Sequence, residues 1–108
     1  MDMNKIAEWN KTSTQNFGNL VDMIAQYYNL SVADLKSDSR KKEITGTRQM
    51  LMLLSKRYFW RTLEKIWDYF GGKNHASVIY AVNNMEKKIK MDKNLAHDYN
   101  VFVEWIEG

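Results

Sequence analysis

From Phe17 onward, apolar side chains recur at Phe17, Leu20, Val21, Ile24, Ala25 and Tyr28. This is the i, i+3, i+4, i+7 spacing that lines one face of an α-helix. Asn16 is the expected N-cap and Asn29 the expected stop. Ahead of this helix, Ile6 and Trp9 stand without sustained periodicity, and TSTQN at 12–16 is polar enough for a joint. Residues 1–15 therefore read as a lead-in or hinge remnant, and 16–108 as the domain.

Ser31 to Asp34 has the form of a capping box with aspartate in the third position, which predicts a short helix from Val32 to about Lys36. SDSRKKEITGT at 37–47 has no period and ends in Gly46-Thr47, which predicts a basic loop. A helix starting near Arg48 then buries Met50, Leu53, Leu54 and Tyr58, with Arg48, Gln49, Lys56 and Arg57 as its polar side chains. After Arg61, Thr62 is positioned to cap a short helix whose Leu63, Ile66, Trp67 and Phe70 form an apolar stripe. Gly71-Gly72 ends it in a turn, because glycine tolerates positive φ. Asn74 caps a longer helix in which Val78, Val82, Met85 and Ile89 repeat, running to about Met91. Asp92 opens the break before a last helix built on Leu95, Tyr99, Phe102, Val103 and Ile106.

Composition agrees with this pattern. The 108 residues include no proline and only five glycines, which favours helices joined by short turns. The expectation is an all-α, compact helical domain containing a helix-turn-helix and a basic loop. The MLMLL run at 50–54 and the helical spacing of the tryptophans assign those side chains to its core. There is no cysteine, so disulfides and thiolate metal sites are excluded. No stretch approaches about 18 uninterrupted apolar residues, and MDMNKIAEWNK lacks the apolar core of a signal peptide. A cytoplasmic protein with no membrane partner is expected.

Charge is unevenly placed. The chain carries +3 overall, but residues 1–35 carry −2, 36–91 carry +8 and 92–108 carry −3. The central segment can therefore project a positive field that the whole-chain charge understates.

The predicted short helix, glycine turn and longer helix form a helix-turn-helix pattern, whose second helix enters the major groove N-terminus first. Asn74, His75, Ala76 and Ser77 would then face DNA. Asn and His hydrogen-bond base edges, Ala packs on a thymine methyl, and Ser77 with the helix-start amides suits a phosphate. Two rival chemistries fail on spacing. A phosphate-cradling P-loop needs glycine five residues before Gly72 and Ser or Thr after Lys73, where this chain has Trp67 and Asn74. A catalytic or metal-binding His75 has no partner pattern, because the other histidine, His97, lies in a different predicted helix.

The run GGKNHASVIYA at 71–81, with VADL at 32–35 and RQM at 48–50 upstream of it, resembles the C-terminal DNA-binding domain, domain IV, of the bacterial replication initiator family DnaA. The resemblance covers about residues 17–106. It implies double-stranded DNA binding at DnaA boxes of a replication origin, with a nucleoid-associated location. It implies Asn74, His75 and Ala76 as base contacts, Ser77 as a phosphate contact, and Arg40 as a minor-groove arginine. Lys42, Arg48, Gln49 and Lys56 fall at further DNA-contacting positions, with Arg48 also reaching toward a base. The charge map points to the same segment, since half of the basic residues lie between Lys36 and Arg61. An arginine in a narrow A·T-rich minor groove gains from its enhanced negative potential. Tyr80 is a further candidate, exposed on the reading helix and within reach of a phosphate.

Several positions depart from the family pattern. Ala76 replaces a hydroxyl residue, Asn74 the commoner aspartate, and Gly46-Thr47 an Arg-Pro pair, while Glu43 adds a negative charge to the basic loop. The chain also has no room for the AAA+ ATPase domain of that family, so no cofactor is expected in it, and ATP only if such a domain lies upstream. Other DnaA molecules or an upstream ATPase domain are the remaining expected partners. The alternatives are a free-standing DnaA-like transcriptional regulator and a helical protein-interaction module that docks a partner through the acidic 92–108 helix.

Overall fold

Six helices follow one another among the residues described by the computed structural model, 13–59, 63–71 and 75–108. They are α1 (Ser13–Tyr27), α2 (Val32–Lys36), α3 (Lys42–Tyr58), α4 (Leu63–Tyr69), α5 (His75–Met91) and α6 (Lys93–Glu107). The lead-in 1–12, Trp9, Trp60, Arg61, the Thr62 cap, Gly72, the Asn74 cap and the side chains of Trp67 and His75 lie outside what is described.

The apolar face of α1 is buried at Phe17, Leu20, Val21, Ile24 and Ala25. The helix begins at Ser13, so Asn16 lies inside it rather than at its cap. Ser, Thr, Gln and Asn are poorer helix formers than Ala by under about 1 kcal/mol each, too little to stop a helix whose next turns are buried. Its end is as expected: Asn29 takes φ 57°. The Leu30 amide then donates to the Ala25 carbonyl at 2.7 Å and the Asn29 amide to that of Gln26 at 3.1 Å, closing a Schellman motif. The capping box of α2 forms in full, with the Asp34 amide donating to Ser31 Oγ at 3.0 Å and the Ser31 amide to Asp34 Oδ2 at 3.4 Å.

The largest departure is α3, which starts at Lys42 and takes in Gly46-Thr47, so the loop shrinks to 37–41. A Cβ on Gly46 would meet nothing within 4 Å, so no steric demand places glycine there. Its helix penalty of about 1 kcal/mol is outweighed because Ile44, Thr47, Arg48 and Leu51 are buried along one face. Thr47 Oγ1 also donates to the Glu43 carbonyl at 2.8 Å. From Thr47 to Ser55 every residue of α3 is buried, because the other five helices all pack against it. Arg48 and Gln49, expected at the surface, are therefore buried, at 7% and 8% exposure, and Tyr58, expected in the core, is half-buried. Burial, with Tyr99 close by, pushes the Tyr58 phenol up to about 12.

Ser55 Oγ is buried with no hydrogen-bond partner among the described residues. Such a group gives up water and gains nothing. Ser55→Ala is expected to stabilise the domain by about 1 kcal/mol, read as a higher urea midpoint; an unchanged or lower midpoint refutes this.

Ile66 and Phe70 anchor α4, and Val78, Val82 and Met85 anchor α5, all buried as expected. Gly71 between them has φ 87°, where other residues are strained, and a Cβ there would crowd the Lys36 carbonyl oxygen at 3.0 Å, so both conformation and space favour glycine. Asp92 Oδ1 accepts from the Asn94 and Leu95 amides and caps α6. Phe102 and Ile106 are buried from α6, while Leu95, Tyr99, Val103 and Trp105 pack half-buried against the core. Tyr27 and Tyr28 at the end of α1 both donate to Asp98 of α6, at 2.7 and 2.6 Å. Burial, and then the Asp98 carboxylate, raise the Tyr28 phenol above its ordinary value. Arg57 donates to the Tyr99 hydroxyl at 2.9 Å and lies 3.7 Å from Glu86, an exposed pairing of small energetic worth. Among the described residues no helix is long and apolar enough to cross a membrane.

Candidate nucleic-acid interface

Thr45, Gln49 and Met52 repeat at i, i+4 and i+7 along α3, and Lys56 continues the row as an exposed side chain. Facing them, the first turns of α5 present Ala76, Ser77, Tyr80 and Ala81. The two helices enclose an open crevice of about 370 Å³ lined by Thr45, Arg48, Gln49, Met52, Ala76, Ser77, Tyr80 and Ala81. Ala76, Ser77 and Tyr80 are exposed, Tyr80 at 65%. Buried Val78 and Val82 hold the opposite face of α5 in the core, which orients the exposed residues outward.

Gln49 is fixed from across the crevice. Asn84 Nδ2, on α5, donates to Gln49 Oε1 at 2.9 Å. That bond engages the carbonyl end of the Gln49 amide, whose NH2 group has no hydrogen-bond partner among the described residues. Asn84, Thr45 and Met52 were not expected in the site. Asn84 stands seven residues after Ser77, a helical repeat that would have found it.

The loop 37–41 bears Arg40 as an exposed side chain. Its two serines brace it: Ser37 Oγ donates to the Asp34 carbonyl at 2.7 Å, the Ser39 amide donates to Ser37 Oγ at 3.1 Å, and the Lys41 amide to Ser39 Oγ at 3.3 Å. Lys41 and Lys42 stand at the start of α3, where no side chain caps the helix. Positive charge at the positive end of a helix dipole is unfavourable, and Glu43 in the first turn offsets it in part. Lys42 also lines a second hollow of about 260 Å³, away from the crevice, with Glu43, Lys88 and Asp92.

Arg48 is engaged differently from the expectation that it reaches toward a base. Its Nε donates to the Leu35 carbonyl at 2.9 Å, Nη2 to Ser37 O at 2.9 Å, and Nη1 and Nη2 to Ser39 O at 3.4 Å. Burial lowers its guanidinium from the ordinary value, with nearby Asp38 opposing the shift. Arg48 thus forms part of the crevice wall while holding the loop that carries Arg40. Among the described residues no cluster of three or more His, Asp or Glu side chains is placed to hold a metal ion.

Residues 18–85 match the family model of the bacterial DnaA protein helix-turn-helix. The chain belongs to this family. The DnaA helix-turn-helix match begins inside α1 and ends within α5, so it contains both walls of the crevice, the 37–41 loop and the α4–α5 pair. The chain is 38% identical over 85 residues to the chromosomal replication initiator protein DnaA of Latilactobacillus sakei, a match covering 79% of this chain and 19% of that protein. It is 36% identical over 77 residues to the protein of the same name from Wolbachia pipientis, covering 71% of this chain and 17% of that one. This DnaA-type domain therefore corresponds to under a fifth of the length of these curated relatives.

Proposed function

We propose that this DnaA-type domain binds double-stranded DNA sequence-specifically, at DnaA-box-like sites in replication initiation. The start of α5 lies in the major groove and the 37–41 loop in the adjacent minor groove. The observation that carries this reading is the shared wall: Arg48 lines the crevice beneath Ala76, Ser77 and Tyr80 and also grips the loop that bears Arg40. Two elements that a duplex would meet in neighbouring grooves are thereby built against each other.

Asn74, His75 and Ala76 are assigned to base edges, and Arg40 to the minor groove. Ser77, Tyr80, Lys42 and Lys56 meet phosphates, and the Gln49 amide donates into the same backbone. Ala76 in place of a hydroxyl residue offers a methyl to thymine instead of a hydrogen bond. The domain acts as a binder and not a catalyst, with ATP chemistry left to an AAA+ domain of the kind its longer relatives have room for. The working location is the cytoplasm, at the nucleoid, and other DnaA molecules are the natural protein partners.

Titration against a DnaA-box duplex and a scrambled duplex at two salt concentrations tests this. Preference for the box with steep salt dependence is expected; equal weak binding removes the specificity, and no binding at low salt removes DNA altogether. Lys56→Ala should weaken both duplexes alike and reduce the salt slope by about 1. A loss confined to the box would show Lys56 reading sequence.

A further inference from the structure

We propose that Arg48 governs minor-groove selectivity without reading a base itself: it is a positioning residue that locks the 37–41 loop, and with it Arg40, in the shape the groove requires. This rests on the DNA-binding reading above. Four of the five guanidinium N–H groups are spent on the carbonyls of Leu35, Ser37 and Ser39. No two-pronged fork remains for a base edge. The three acceptors alternate along the chain, so one planar cation spans the last turn of α2 and the loop beyond it.

The loop needs such a lock. It is led in by a helix of only five residues, too short to hold its own shape. The bonds from Ser37 and Ser39 are local and fix curvature, not position relative to α3. Arg48 supplies that position, from the stretch of α3, residues 47–55, that is buried throughout. The entry to the loop is fixed too, because the Lys36 ammonium lies 4.4 Å from the centre of the Tyr69 ring and the Lys36 carbonyl abuts Gly71. Arg40 thus presents its charge from a loop already ordered, and the entropy of ordering it is not charged against binding. A lysine at 48 could satisfy one carbonyl at a time but not bridge three.

The test compares the wild-type domain with Arg48→Met and Arg48→Lys, first free and then on DNA. In the free protein, amide exchange over residues 37–41 should accelerate about tenfold in both variants, while Leu53 and Leu54 keep their protection. Unchanged exchange in the loop overturns the proposal whether or not the domain binds DNA. On DNA, the probe is a box duplex whose adenines carry an added 2-amino group, which alters the minor groove and leaves the major-groove edge intact. Wild type should bind this duplex less well than the plain box. Both variants should bind the plain box about tenfold more weakly than wild type, lose little more on the 2-amino duplex, and still discriminate base changes under α5. Retention of the full 2-amino penalty by the variants overturns the positioning role, as does wild-type behaviour of Arg48→Lys, which a simple phosphate contact would show. A wild-type domain indifferent to the 2-amino group overturns the minor-groove reading, and the exchange result separates that failure from a failure of the lock.

Discussion

Phe102→Ala is expected to cost the domain about 3–5 kcal/mol, a large part of the 5–15 kcal/mol that holds a typical domain together. The ring is fully buried. It meets Tyr27 at 5.2 Å, Tyr28 at 5.9 Å and Trp105 at 5.3 Å between centroids, mostly edge to face. Such pairs add about 0.5–1.5 kcal/mol each beyond the apolar area they bury. This cluster and the two tyrosine bonds to Asp98 dock α6 onto the end of α1. The family match ends at residue 85, before α6 begins, so the result also decides whether α6 is part of the cooperative unit. A urea midpoint within about 0.5 kcal/mol of wild type, the range of a surface substitution, would make α6 an appendage.

His75→Ala should remove about 1–3 kcal/mol of discrimination between a DnaA-box duplex and a scrambled one. α5 begins at His75, and in a helix-turn-helix the first residues of the second helix meet base edges. The crevice residues that follow it, Ala76, Ser77 and Tyr80, are exposed on the same turns. The loss should fall on the box alone, unlike that of Lys56→Ala, and should leave the salt slope in place, because a base contact releases no counterion. Intact discrimination with weakened binding to both duplexes would move the reading position elsewhere on the helix.

Elements with their own punctuation could be read from the chain. Asn29 in the left-handed region, the Ser31–Asp34 box, Gly71 and the Asp92 cap each end or begin a helix by local chemistry, and the structure has them in those roles. The start of α3 could not be read this way, because Gly46 signals a break that tertiary burial overrides. Nor could the burial of Arg48 and Gln49, since the 47–55 stretch of α3 is buried throughout and so has no polar face and no period to detect. The charge map located the basic segment but treated Arg40 and Arg48 alike. One is exposed on the loop and the other is buried beneath it, and only the carbonyls gathered around Arg48 tell them apart. The crevice partners Thr45 and Met52 carry no charge and no motif, so they become visible only when the two helices are brought together, whereas Asn84 lies on the helical repeat from Ser77.

The approach of Gly71 to the Lys36 carbonyl has an evolutionary consequence. Because the loop entry and the end of α4 meet there by main chain against main chain, that contact does not depend on the side chains proposed to read the grooves. If the proposed DNA contacts hold, substitutions at 40, 74, 75 or 76 are expected to retune which bases are preferred while the interval between the contacted positions stays constant. On that reading a lineage would drift in box sequence while keeping box length, and a substitution at Gly71 is the change expected to disturb that interval.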